Sequence, residues 1–279
     1  MLGQYKINKQ IAAGATSELY LADDPQRGQV AIKVLQLVEQ YPRPADRESA
    51  TKRILQVAHA LSRLQHPNLV KVYDTRAVDD AVYIVMEYLP GRDLSYYIAK
   101  EQLSLEEVFG VTIDAAQGLA HAHQHGVIHR DVKPANIIYN RGSGAVTITD
   151  FGLSVVTRAA KRKTNVFAGT PYYMAPEQVT GNAVDARADI YALGATLFQL
   201  ITGGVPFAGS SLGVLIRKIE KEPPPDILAM RPNLANTGAC LRAIMDNVLQ
   251  KQPEDRYQSC EEFLEDLIPC SDVILNTLK

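Results

Sequence analysis

The chain has 279 residues, enough for one large domain or two fused lobes. Its 46% hydrophobic and 22% charged content excludes a disordered chain, and a net charge of −2 gives no global field to recruit nucleic acid or a membrane surface. The three cysteines, Cys240, Cys260 and Cys270, are odd in number and lack metal-ligand spacing, so free thiols in a reducing, cytoplasmic compartment are expected. Residues 1–10 have no apolar core, which argues against a secretory leader. The longest apolar region, Tyr191 to Phe207, is interrupted by Gln199, Thr202, two glycines and Pro206, so no membrane contact is expected.

The first part of the chain reads as strands. Tyr5 to Ala13 and Glu18 to Ala22 flank a turn that contains Gly14. Asp24-Pro25-Gln26-Arg27-Gly28 is a second turn, and Gln29 to Leu35 is a third strand. After Pro42 and Pro44 a helix is predicted from about Asp46 to Leu64, then strands at Val70 to Thr75 and Ala81 to Glu87. Past Pro90-Gly91 the texture changes. Leu105 to His125 carries Val108, Val111, Ala115, Leu119 and Ala122 on one helical face. A hairpin is predicted from Ile137-Ile138-Tyr139 and Ala145-Val146-Thr147-Ile148 through Gly142-Ser143-Gly144. Asp189 to Thr202 reads as a buried helix, and Leu212 to Glu220, Ala239 to Lys251 and Cys260 to Leu267 as further helices. A small sheet-rich lobe joined to a larger helical lobe near Tyr88 to Gly91 predicts a ligand cleft between them.

Three strings carry chemistry. In His129-Arg130-Asp131-Val132-Lys133-Pro134-Ala135-Asn136, Asp131 can orient an acceptor hydroxyl and take its proton. Asn136 offers a metal an oxygen, and Lys133 can neutralise charge on a transferring phosphoryl group. An Asp–Asn pair on a polar turn says little alone; the eight-residue string is far more specific. Asp150-Phe151-Gly152 presents a second oxygen ligand at a strand end. Val30-Ala31-Ile32-Lys33 is an apolar strand with a lysine, which is costly to bury without an anionic partner such as phosphate.

These strings, with Ala175-Pro176-Glu177 further on, resemble the protein kinase superfamily in order and context, across about Tyr5 to Leu267. Gly126-Val127-Ile128 before His129 and Gln178 after Glu177 look closest to bacterial eukaryotic-like serine/threonine kinases. Lys133 and Gly169-Thr170-Pro171-Tyr172-Tyr173 are similar to serine/threonine rather than tyrosine kinases. The resemblance implies an α+β bilobal fold, with a kinase domain over 1–267, an N-lobe over 1–88, a C-lobe over 89–267 and a tail over 268–279. It implies nucleotide contacts from Ile11, Gly14, Leu19, Ala31, Lys33, Met86, Glu87, Tyr88, Leu89, Ile138 and Asp150, with Met86 as gatekeeper and Glu87 to Leu89 as hinge. ATP and Mg²⁺, with Mn²⁺ as a substitute, are the implied cofactors, the metal resting on Asn136 and Asp150. Asp189 would brace the catalytic loop, and Glu177 would pair with Arg256. Arg130 would gather a phosphate on the activation segment, with Thr164 first and Thr157 second as its source, while Thr170 would face the substrate. A protein bearing Ser/Thr is the implied substrate, and a homodimer would serve autophosphorylation.

Two departures matter. In Ile11-Ala12-Ala13-Gly14-Ala15-Thr16-Ser17 only the middle glycine of three is kept. The helix glutamate that should pair with Lys33 falls at Val57, on the stripe Ile54, Val57, Ala58, Leu61 and Leu64. Glu48 could substitute only if the helix slides or breaks, Gln56 could offer a neutral bond, and Asp150 could pair with Lys33 until nucleotide arrives. Because Asp131 and Asp150 are both present, the expectation is a live serine/threonine kinase. The alternative is a pseudokinase or nucleotide-binding scaffold.

Overall fold

Short runs rich in apolar residues, bounded by turns, build the first sheet. A computed structural model of the chain describes residues 3–14, 17–100, 102–151, 171–235 and 238–277. Strands β1 (Lys6–Ala13), β2 (Ser17–Asp24), β3 (Gly28–Gln36), β4 (Val72–Val78) and β5 (Ala81–Glu87) form an antiparallel sheet in the order β1-β2-β3-β5-β4. Side chains alternate between the faces of a strand, so cross-strand partners share a face. Tyr20, Ile32 and Val85 are in register, and with Val30, Val34, Ala22, Tyr5 and Ala81 they make one apolar cluster. Leu19, Lys33 and Ile84 are in register on the opposite face. At the β2–β3 turn, Asp24 Oδ1 accepts the Gln26 and Arg27 amides at 2.7 and 3.2 Å.

Helix α1 (Pro44–Ser62) starts with Pro in its first turn, where no backbone donor is needed. It buries Ala50, Ile54, Ala58 and Leu61, the spacing of one helix face, and packs on β4 and β5. The chain divides into two compact units: of the described residues, the first holds those up to Pro90 together with Phe151, and the second Gly91–Asp150 and those from Pro171 onward. Gly91 has φ 149°, and a Cβ there would meet the Tyr139 carbonyl oxygen at 2.7 Å, so only glycine fits.

The second unit opens with β6 (Arg92–Asp93), which pairs with β7 (Ile137–Asn140), itself paired with β8 (Ala145–Ile148). Among the described residues its α-helices are α2 (Leu94–Lys100), α3 (Leu105–Gln124), α4 (Pro176–Thr180), α5 (Arg187–Thr202), α6 (Leu212–Lys221), α7 (Ile227–Met230), α8 (Ala239–Val248) and α9 (Cys260–Thr277). Helix α5 is buried on nearly every side, with α3 and α8 packed against it. A Cβ on its Gly194 would come within 2.5 Å of Val248 on α8. Elements β6, α2 and α7 were not expected from the sequence; each is too short to show a period. The residues after Leu267 continue α9, with Pro269 inside it. Among the described residues no helix is long and apolar enough to cross a membrane.

The expectation of three free thiols fails. Cys240 at the start of α8 and Cys270 within α9 form a disulfide with Cα atoms 5.6 Å apart, and only Cys260 is free, in the core. Packing of α8 on α9 creates that proximity; a separation of 30 residues carries no sign of it.

Helix α3 is anchored at its N-terminus, because its far end leads into the catalytic loop. Ser104 Oγ accepts the Glu107 amide at 3.2 Å and Glu107 accepts the Ser104 amide at 2.8 Å, a reciprocal cap. Arg141 forks onto Glu107 at 2.6 and 2.8 Å. Its bonds hold the Glu107 carboxyl down at about 2. A carboxyl depressed by folding adds stability above the unfolded-chain value of about 4.5, and that stability drains away as pH falls toward the folded value. Glu107→Gln is therefore expected to flatten the acid side of the stability profile between those limits, measured by urea unfolding at stepped pH. Parallel wild-type and variant profiles would contradict this.

Candidate active site

The loop 129–136 has its geometry imposed from below. Asp189, in the first turn of α5 and 1% exposed, accepts the His129 amide on Oδ2 and the Arg130 amide on Oδ1, both at 2.7 Å. His123 on α3 adds a third bond, Nε2 to Oδ2 at 2.9 Å. Arg130 is thereby held at φ 63°, a left-handed conformation uncommon for a side chain of this size. Gln178 on α4 donates Nε2 to the Arg130 carbonyl at 3.0 Å and accepts the Ala175 amide at 3.0 Å. His129 is fully buried. A carbonyl only accepts, so His129 Nε2 carries the hydrogen toward the Thr149 oxygen at 2.8 Å, and Nδ1 accepts the Asp131 amide at 3.1 Å.

The reactive side chains follow. Lys133 Nζ lies 2.8 Å from Asp131 Oδ2. Asn136 Nδ2 donates to the Asp131 carbonyl at 2.8 Å and to Oδ2 at 3.1 Å. With its nitrogen committed to Asp131, the amide turns Oδ1 the other way. The Thr149 amide donates to the Asn136 carbonyl at 2.9 Å, which sets Asn136 beside the end of β8. Asp150 follows at φ 67°, a second left-handed residue, and Phe151 is fully buried. An amide oxygen and a carboxylate are hard ligands and too few to cage an ion alone, the donor set that suits a small divalent cation completed by phosphate and water. Among the described residues no three His, Cys, Asp or Glu gather as a metal site.

The first unit holds the other candidates. Ala31 and Lys33 lie on β3, with Met86 opposite Ala31 and Leu19 opposite Lys33. Met86 is buried, Lys33 half-buried, and Glu87, Tyr88 and Leu89 are half-buried at and after the end of β5. Glu87 is tied to Lys71 by two bonds, its Oε1 accepting the Lys71 amide at 2.7 Å and its own amide donating back at 2.9 Å. Ile11 is exposed on β1, and the Gly14 amide closes the β1–β2 turn on the Ser17 carbonyl at 2.8 Å. Ile138 lies on β7, in the second unit. Thr157, Thr164 and Thr170 fall outside the described residues.

Val57 is half-buried on α1. The substitutes weighed for the missing glutamate do not turn inward: Glu48 pairs with Lys52 at 2.9 Å with both side chains 70% exposed, and Gln56 is exposed. The reason is that Ile54, Ala58 and Leu61 fix the buried face of a continuous helix, leaving Glu48 on another side. Motif reading passed over His123 and took Gln178 only as a mark of the family resemblance, yet both bond the loop or its support. Their only signals were a histidine at the end of a helix six residues before His129 and an amide directly after Glu177.

Beneath the loop, Arg256 forks onto Glu177 at 2.8 and 2.8 Å, with the guanidinium fully buried. Its remaining donors reach the carbonyls of Gln250, Lys251 and Arg187 at 2.7, 3.0 and 3.4 Å, so all its N–H groups are used.

The sequence matches the protein kinase domain family over residues 5–267, and the chain belongs to that family. It is 35% identical to serine/threonine-protein kinase PrkC of Bacillus subtilis over 269 residues, covering 95% of this chain and 40% of that protein. It is also 35% identical to serine/threonine-protein kinase PknB of Mycobacterium tuberculosis over 277 residues, covering 95% of this chain and 42% of that protein. The chain thus spans about two fifths of the length of these curated relatives. The kinase domain of Mycobacterium tuberculosis PknI superposes with a TM-score of 0.76 at 30% identity, over 97% of both chains. Rad53 in complex with AMP-PNP superposes at TM-score 0.77 and 24% identity, over 96% of this chain and 65% of that one, and shows the fold alone. The architecture is the protein kinase fold, and its members use ATP and a divalent metal on protein substrates.

Breaking a buried ion pair leaves an uncompensated charge. Arg256→Ala is expected to cost about 3–5 kcal/mol in urea unfolding, and Glu177→Met with Arg256→Met to recover part of that loss. A single-variant loss below about 1 kcal/mol would contradict the assignment.

Proposed function

We propose that this chain is the catalytic domain of an active serine/threonine protein kinase, transferring the γ-phosphoryl group of ATP to Ser or Thr hydroxyls of protein substrates. The observation that carries the reading is the Asp131 carboxylate, held from two sides by Lys133 and Asn136. The acceptor hydroxyl binds at Asp131, which orients its oxygen toward the γ-phosphorus and takes its proton. As the new P–O bond forms, the bond to the β-phosphate oxygen breaks and ADP leaves. Lys133 neutralises charge on the transferring group. Asn136 and Asp150 would hold Mg²⁺ or Mn²⁺, which when bound offsets charge on the phosphates. Lys33, on β3, holds phosphate oxygens. Ala31, Met86, Glu87, Tyr88 and Leu89 receive the base, with Ile11 on β1, Gly14 at the β1–β2 turn and Leu19 on β2 as further nucleotide contacts.

Phosphate on Thr164 binds Arg130 and orders the loop, with Thr170 facing the substrate. A homodimer supplies the copy that phosphorylates it. ATP as co-substrate argues for the cytoplasm.

The test is radiolabel transfer from ATP to a generic protein substrate by wild type beside Asp131→Asn. The variant should fall by about 10²–10⁴-fold. Equal background counts from both would overturn the reading in favour of a scaffold. Mass spectrometry of the same reactions reports on the loop. An unmodified Thr164 in protein that phosphorylates its substrate would rule out that part.

A further inference from the structure

One side chain reaches the loop support from the far end of the chain. Cys260, the first residue of α9, is fully buried with Sγ 3.7 Å from His123 Nδ1. His123 Nε2 is 2.9 Å from Asp189 Oδ2, the atom that also takes the His129 amide at 2.7 Å. The line Cys260–His123–Asp189 crosses from α9 through α3 to α5 and ends on the backbone of the catalytic loop. We infer that Cys260 is a positioning residue: its thiol donates to His123 Nδ1 and so selects the neutral tautomer whose Nε2–H bonds Asp189.

The chemistry leaves one arrangement for a neutral ring. Asp189 takes two backbone amides and acts as an acceptor, so the hydrogen at the contact sits on His123 Nε2. Nδ1 of that tautomer is an acceptor and needs a donor. Burial pushes the Cys260 thiol well above its usual range, with the charge of Asp189 adding to the effect, so it keeps its hydrogen and can donate. The His123 side chain is 10% exposed, which leaves little room for water to substitute. The groups facing the ring are Asp189 from α5 and Cys260 and Glu261 from α9; Glu261 accepts from Gln124 at 2.6 Å. His129, on the loop side, is already committed to Thr149. The disulfide from Cys270 to Cys240 fastens α9, the helix that carries Cys260, to α8.

Removing the thiol leaves Nδ1 buried without that donor. The ring then divides between tautomers, and the one bearing Nδ1–H points a lone pair at the Asp189 carboxylate. Asp189 loses its side-chain donor, and the loop loses part of its support. A purely structural loss of packing would not change the tautomer of the ring.

This inference rests on the phosphotransfer reading for its kinetic arm alone. In ¹⁵N spectra of the imidazole nitrogens of the full chain, wild-type His123 should show a protonated Nε2 and an unprotonated Nδ1. Cys260→Ser, whose hydroxyl can donate, should keep that signature, and Cys260→Ala should give averaged nitrogen shifts. In the kinetic arm, Cys260→Ala should lower kcat about fivefold, with KM for ATP unchanged. Cys260→Ser should stay near wild type. A wild-type ring hydrogenated at Nδ1, or a Cys260→Ala spectrum and kcat equal to wild type, would overturn the proposal. If wild type showed no turnover, the spectra would still decide the tautomer while the phosphotransfer reading failed separately.

Discussion

A single buried carboxylate sets the geometry on which this site depends. Asp189 lies in the first turn of α5, a helix buried almost throughout, and a charge in that position is tolerated only when its oxygens are bonded. Two of its donors are consecutive backbone amides of the loop, His129 and Arg130, and the third is His123. The loop therefore has one conformation available in which Asp189 is satisfied. That conformation places Arg130 at φ 63°, a strain of roughly 1–3 kcal/mol that persists because the surroundings over-determine it. From there the bonds run outward: His129 to Thr149, Thr149 to Asn136, Asn136 to Asp131. Asp131 and Asn136 are thus held in place by the fold itself, the pre-organisation that the proposed phosphotransfer would require.

The helix that lacks its glutamate fits this picture. Helix α1 is held by apolar burial of Ala50, Ile54, Ala58 and Leu61, and Val57 sits half-buried beside them. Glu48, a full two turns or more from Val57, is spent on an exposed pair with Lys52. A rearranged helix that swings Glu48 inward would have to give up that apolar face. The loop in the second unit is held by bonds within that unit.

Much of this was legible in the sequence, for physical reasons that differ by element. The apolar runs in Gln29 to Leu35 and Ala81 to Glu87, bounded by turn residues, located β3 and β5, because strands buried in a sheet read as short apolar runs. The stripe from Val108 to Ala122 located α3 in the same way. The catalytic string named Asp131, Lys133 and Asn136 because three chemistries at fixed spacing on one loop seldom coincide. What stayed hidden depends on tertiary approach. The Cys240–Cys270 bond, the reach of Cys260 to His123 over 137 residues, and the left-handed backbone of Arg130 and Asp150 leave no periodic trace. The exposure of Glu48 became clear only when the packed face of α1 was fixed.

The most direct test of the account is amide hydrogen exchange at His129 and Arg130, followed residue by residue in wild type and in Asp189→Asn. The two wild-type amides should be protected as strongly as the core of α5, and the substitution should release them by orders of magnitude while α3 and α5 stay protected. Wild-type amides that exchange as freely as an exposed turn would contradict it, since the carboxylate would then not be holding the loop.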